Sequence, residues 1–246
     1  MSSTSPVDVA RIEVGTNVST IQESIVTTKP NEVVLCYIGH DNNTGSIVSA
    51  SNSAGLTFYK RKDNTSDALR RETFWYYWAV MPIPGSLTVY VTFSDADNSF
   101  IGLIGLAGMN TSSVFDPNAS LPALATWTYP GTISPSATIS TSNPNDLIIA
   151  LLCDNVGGVT TIVAGSGFTL IQSASDSSKA IYGASEYVLI SAVQSGLKVG
   201  FTSSSTPVPA YTAIFVDAIQ AAPVTPPPPQ PKATTLKLTV TEVPPP

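Results

Sequence analysis

His40 and Asp41 stand side by side and are the first candidates for chemistry. An imidazole beside a carboxylate is the heart of a hydrolase relay, in which the ring activates a serine. No G-x-S-x-G elbow supplies that serine, and Gly165-Ser166-Gly167 reads as a turn ahead of a strand. His40 therefore reads as a polar turn residue, no catalytic residue is assigned, and the chain does not read as an enzyme. Asp95-Ala96-Asp97-Asn98 offers oxygen ligands for calcium. An EF-hand loop starting at Asp95 needs Gly at its sixth position and Glu at its twelfth, where Phe100 and Leu106 stand. The stretch reads as a hairpin turn. One histidine and two cysteines leave little for a zinc site, so neither metal nor cofactor is expected. Cys36 and Cys153 both lie near the ends of apolar strands. They read as buried free thiols, with a bond across the two strands as the alternative.

Recognition chemistry is better represented. Phe74-Trp75-Tyr76-Tyr77-Trp78 is the densest aromatic run. In a strand, Trp75 and Tyr77 face one side and Phe74, Tyr76 and Trp78 the other. One set must be core; the other is either covered by a loop or a neighbouring subunit, or free to stack on a sugar. Trp75, Tyr76, Tyr77 and Trp78 are thus the candidate interaction aromatics. Five N-x-[ST] triplets mark Asn17, Asn42, Asn64, Asn110 and Asn118 as candidate glycosylation sites. The last four fall in expected loops.

The elements that must carry these residues are strands. Strand-length apolar runs bounded by turn residues recur at 33–38, 56–59, 73–80, 87–93 and 100–106, and helical periodicity is absent. Leu87, Val89, Val91 and Phe93 alternate as a half-buried strand does. Residues 61–71 form a charged stretch that reads as an exposed loop. The second half echoes the first: Pro30-Asn31-Glu32-Val33-Val34-Leu35 aligns with Pro144-Asn145-Asp146-Leu147-Ile148-Ile149, and Val91-Thr92-Phe93-Ser94 with Val199-Gly200-Phe201-Thr202. The offset falls from 114 to 108 residues along the chain, as loop deletions in a diverged duplication would make it.

The expected fold is all-β: an antiparallel β-sandwich of jelly-roll type built from two diverged repeats. Residues 1–222 form the body, with repeat halves at about 28–118 and 142–220 on one core; two small tandem sandwiches are the alternative. Nine of the 20 prolines lie in 223–246. Residues 223–233 read as a polyproline II linker. Residues 234–246 read as a docking strand, with Leu236, Leu238 and Val240 on one face, or as the start of a further module.

Composition sets the surroundings. Charged residues make up only 11% of the 246, against about 25% in ordinary soluble domains. Ser and Thr, 59 of them, supply the polar surface instead. A net charge of −6 with 11 Lys and Arg argues against nucleic acid as a partner. No apolar run reaches the ~18 residues of a membrane span, and the N-terminus lacks the basic and apolar regions of a secretory signal.

A strand opening on Asn31-Glu32 or Asn145-Asp146 is followed by the turn Ser53-Ala54-Gly55-Leu56-Thr57, the aromatic strand, and Gly85-Ser86-Leu87-Thr88-Val89-Tyr90-Val91-Thr92-Phe93. The segment Gly102-Leu103-Ile104-Gly105-Leu106-Ala107-Gly108-Met109-Asn110, with Phe115-Asp116-Pro117, closes the pattern. Over residues 28–220 this resembles the jelly-roll-like β-sandwich modules of bacterial and archaeal surface proteins and viral appendages. With its Pro-rich connector and no visible signal, the chain is also similar to the turret or spike proteins of icosahedral archaeal viruses. That likeness implies modules standing on a capsid, pentameric at a vertex, and carries over no functional residue. The expected function is a structural virion-surface protein whose partners are its own copies, capsid proteins and host-surface glycans. The alternatives are a secreted carbohydrate-binding or adhesion module, and a filament subunit that exchanges strands.

Overall fold

The computed structural model describes residues 5–68, 70–128, 135–155, 159–175, 180–205 and 211–223. Among them every regular element is a strand and every pairing is antiparallel. No helix among them is long and apolar enough to cross a membrane. The stretch from 224 onward, with Leu236, Leu238 and Val240, lies outside the described residues.

The first half contains β1 (Val7–Val26), β2 (Glu32–His40), β3 (Ile47–Asn52), β4 (Tyr59–Asp63), β5 (Thr73–Met81) and β6 (Ser86–Leu106). They form one sheet in the order β1-β6-β2-β5-β4, with β3 attached to β6. The second half contains β7 (Ala123–Thr128), β8 (Ser136–Ile139), β9 (Leu147–Asn155), β10 (Val159–Val163), β11 (Thr169–Ser175), β12 (Tyr182–Leu189), β13 (Leu197–Gly200), β14 (Thr202–Ser205) and β15 (Tyr211–Ile219). Its five-stranded sheet runs β11-β12-β9-β15-β7, and β8–β13 and β10–β14 pair separately.

Strands β2 and β9 are buried on both faces, so they read as unbroken apolar runs rather than alternating ones. In β2, Val33, Leu35 and Tyr37 enter one cluster of buried residues, while Val34, Cys36 and Ile38 enter another. In β9, Leu147, Ile149, Leu151 and Cys153 join the first of these, while Ile148, Ala150 and Leu152 enter a third. The shared cluster lies between the two five-stranded arrays. The other two lie on their outer faces, one under the distal parts of β1 and β6, the other under β8, β10 and β13. The layering is sandwich-like: cover, sheet, sheet, cover.

The inner sheets meet in a fixed correspondence. Phe74 of β5 stacks on Phe215 of β15, with centroids 4.4 Å apart and planes 6° from parallel. Tyr37 of β2 donates to Ser185 Oγ of β12 at 3.3 Å. A Cβ added at Gly183 of β12 would lie 2.8 Å from the Phe100 ring of β6. One added at Gly39 of β2 would fall 2.7 Å from Cys153 Sγ of β9. Thus β2 faces β9, β6 faces β12, and β5 faces β15. Contacts of this reciprocal kind are the form an isologous interface takes.

Strands β1 and β6 span 20 and 21 residues, several times the usual ~5–6. Each serves two layers. Val7–Val14 of β1 pairs with the last part of β6, and Thr20–Val26 with its first part. Register shifts between Gly15 and Thr20 mark the crossover, where Asn17 adopts φ 53°. Opposite it lies Asp95-Ala96-Asp97-Asn98, which is not the expected hairpin turn but continuous strand. Its turn-forming side chains are satisfied laterally: Asn98 Oδ1 accepts from Asn17 N–H at 3.2 Å, and Asn98 Nδ2 donates to Asp41 at 3.4 Å. The charged stretch 61–71 also differs from expectation. Its first three residues belong to β4, and the Lys60–Asp63 pair sits on the strand surface.

Candidate functional site

The aromatic strand divides as alternation requires. Phe74 and Tyr76 are fully buried in the central cluster, with Trp78 partly buried against it. Trp75 is buried in the first half's outer cluster, with Tyr77 partly buried beside it. Most of this surface is therefore core. The exception is at the sheet edge, where Tyr59 of β4, 54% exposed, tilts at 33° against Trp78 with centroids 5.2 Å apart. Phe115 meets Trp78 edge-on at 5.4 Å, and the Arg61 guanidinium lies 4.0 Å from the Phe115 centroid. Arg61 also clamps Asp217 of β15 through Nε at 2.8 Å and Nη2 at 3.1 Å. This edge joins a stacking platform to an ion pair that ties the two halves together.

His40 is the last residue of β2 and is fully buried, which corrects its reading as a turn residue. Its Nδ1 meets Ser99 Oγ at 2.8 Å and its Nε2 meets Asp95 Oδ1 at 3.4 Å. The ring stacks on Phe93 at 4.3 Å. Serine, histidine and aspartate thus line up in relay order. Residues 59 positions apart bring Ser99 to His40, a pairing that no local motif announces. The hydroxyl is as buried as the ring, so no substrate carbonyl reaches it here. Asn42 Nδ2 caps Asp95, and Asp41 accepts from Asn155 Nδ2 of the second half. The cluster fastens strand ends.

The candidate calcium oxygens diverge. Asp95 turns to His40, Asn42 and Ser94, while Asp97 accepts from Asn98 N–H. Among the described residues no group of three or more His, Cys, Asp or Glu is placed to hold a metal ion. Cys36 and Cys153 are free and buried in different clusters, and burial pushes both thiols up. An apolar cleft of about 200 Å³ opens between β3 and β5, lined by Cys36, Leu56, Phe58, Tyr77 and Val89 among others.

Of the five glycosylation candidates, Asn17 is exposed. Asn42, Asn110 and Asn118 are half-buried, and each holds a turn by accepting backbone N–H groups. Asn64 is corrected. It is fully buried, accepting from Phe74 N–H at 2.9 Å and donating to the Glu72 carbonyl at 3.2 Å, so it cannot carry a glycan in this fold. The connection after it runs over the surface, with Thr65, Ser66, Ala68 and Arg71 exposed, and Asn64 itself turns in against β5.

Buried acids are the group that sequence reading missed. Glu32, Glu72, Asp146, Asp154, Glu186 and Asp217 are all at most 1% exposed. Desolvation pushes Glu32, Asp146, Asp154 and Glu186 up to about 7, Asp217 to about 6, and Glu72 well above the usual range. Asp217 is held lowest of these because Arg61 opposes its desolvation. Carboxylates in a sequence are assumed to face water; only their seats at strand ends, beside apolar runs, hinted otherwise.

Set against protein-family models, curated proteins and solved structures, the chain matches none of them.

Proposed function

We propose that this chain is a structural surface protein: a rigid β-sandwich of jelly-roll type built from two diverged repeats, held out on a Pro-rich connector, with the exterior of a virion as its setting. One observation carries the reading. The inner sheets have matching strand orders and pack reciprocally around β2 and β9, so the molecule's largest apolar faces are spent on joining its own halves. Of its chemistry-bearing groups, Arg61 and Asp217 serve that joining too, while His40 and Ser99 bond to each other within the first half. The body ends where Ala222 N–H bonds Gly108 O, beside the β1–β2 connection, and the Pro-rich stretch starts from that end. Such a body offers its opposite end and its flanks to neighbours: copies of itself, capsid proteins below, and host-surface glycans beyond.

Antibodies raised against the body and applied to intact particles should decorate their outside, and a chain cut at residue 222 should be lost from them. Label confined to host cell surfaces, with none on particles, would overturn the setting. A second reading, a carbohydrate-binding or adhesion module, is favoured by the exposed Tyr59 against Trp78. Glycan affinity that disappears in Tyr59→Ala is its signature.

A further inference from the structure

Each half carries a pair of carboxyl groups at the same place, just ahead of its doubly buried strand. Glu32 opens β2, and Asp146 immediately precedes β9. Each follows an Asn at positive φ, Asn31 at 57° and Asn145 at 65°. In the first half, Glu32 Oε1 accepts from Lys29 N–H at 2.7 Å and Thr28 N–H at 3.2 Å, while Oε2 is buried with no donor. Asp8 of β1 is brought beside Glu32 by Thr28, whose one N–H serves both carboxylates, reaching Asp8 at 2.7 Å, while its Oγ1 donates to Asp8 at 2.6 Å. In the second half, Asp116 accepts from Asn118 N–H at 2.7 Å, and from Ser142 and Asn143 N–H at 2.8 Å each. Asp146 stands within its reach, and Asp146 Oδ2 is buried with no donor.

An unpaired buried carboxylate oxygen facing a second carboxylate costs free energy twice, by desolvation and by repulsion. One proton removes both costs, because the orphan oxygen then becomes a donor to the partner that already holds backbone N–H groups. We propose that the protein is built for an acidic medium: Glu32–Asp8 and Asp146–Asp116 each close one half of the body with a single shared proton, and that closure is lost when the proton leaves. This does not depend on what the body displays.

The surroundings leave no other remedy. Among the described residues, the cation that acts on the first pair is Lys29, through Asp8. From β6, Gly105 supplies only room, since a Cβ there would lie 2.6 Å from Glu32 Oε2. Near the second pair lies Asp217 of β15, whose own partner is Arg61 of β4. The proton's location follows from the bonds. Asp8 and Asp116 are held below the ordinary 3.8 by their N–H and O–H donors, although burial opposes this, while Glu32 and Asp146 rise to about 7 by desolvation. Between the ordinary values of 4.5 and 3.8 and about 7, the folded state binds more protons than the unfolded one. Stability therefore falls as pH rises across that window and levels off above it.

The test is the urea midpoint of the full chain from pH 3 to 8, for wild type and for Glu32→Gln with Asp146→Asn. An amide can donate to Asp8 or Asp116 at any pH. Wild type should be most stable near pH 4, with each pair contributing on the order of a ten- to hundred-fold loss in folding constant by pH 8. The variant should lose less and overtake wild type at pH 8. A wild-type midpoint that rises from pH 4 to 7, or a variant with the wild-type slope, would overturn the proposal. Should the variant not fold, infrared spectra of wild type decide. Protonated carboxyl bands should persist at pH 6 in the folded chain, weaken in Glu32→Gln or Asp146→Asn taken singly, and vanish on unfolding; bands absent when folded, or unchanged in both single variants, would refute it.

Discussion

Arg61 shows how single residues carry this molecule. Its guanidinium lies over Phe115 and grips Asp217, whose side chain is 1% exposed, so one cation from β4 neutralises a carboxylate in the core of the other half. Removing one member of such a pair strands the other, which costs more than the pair itself contributes. Arg61→Ala should therefore destabilise the protein by about 3–5 kcal/mol at pH 7, and by clearly less at pH 4, where Asp217, already raised to about 6, takes up a proton instead. Urea unfolding at the two pH values checks this; an equal loss at both would show that the ion pair is not what holds Arg61. At this scale the sequence was only partly legible. The aromatic run split between two faces as alternation demands. Asn64 and Glu32 look like surface residues by type, and only folding reveals that their partners are backbone groups and another acid. His40 found Ser99 across the sheet, a contact set by register rather than spacing.

Strands were more legible than their ends. The runs at 33–38 and 147–153 became β2 and β9 because apolar runs this short, bounded by turn residues, suit a strand covered on both faces better than a helix. Turn chemistry misled at Asp95–Asn98, where a long antiparallel partner, β1, carries the backbone through and the polar side chains find lateral bonds. What covers an apolar face was not legible either, since alternation states only that a face is covered. The seam between the inner sheets depends on close approach at Gly39, where an added Cβ would stand 2.7 Å from Cys153 Sγ of β9 and 2.2 Å from the Phe100 ring of the neighbouring β6. Gly39→Val should wedge the sheets apart and cost at least about 1–3 kcal/mol, while Gly55→Ala, with open space around it but φ at 66°, should cost about 1 kcal/mol from backbone strain alone. Thermal unfolding of the two variants compares them directly, and a Gly39→Val protein as stable as Gly55→Ala would show that the seam is loose.

At the scale of the whole molecule, two antiparallel sheets face each other through β2 and β9, and covers close each outer face. A body of this kind resists deformation, and its polar surface is rich in hydroxyls and poor in charge, a composition visible from the sequence. That surface suits contact with identical neighbours, because few like charges must be brought together. Exposed aliphatics remain at Val26, Val48 and Ile83 in the first half and at Val163, Leu170, Leu189 and Val193 in the second. The account makes self-assembly a property of the body and attachment a property of the connector. Light scattering of residues 1–246 and of residues 1–222 across a range of concentrations separates the two most directly. Both should form a closed oligomer of the same copy number. Monomers in both, at every concentration, would contradict it.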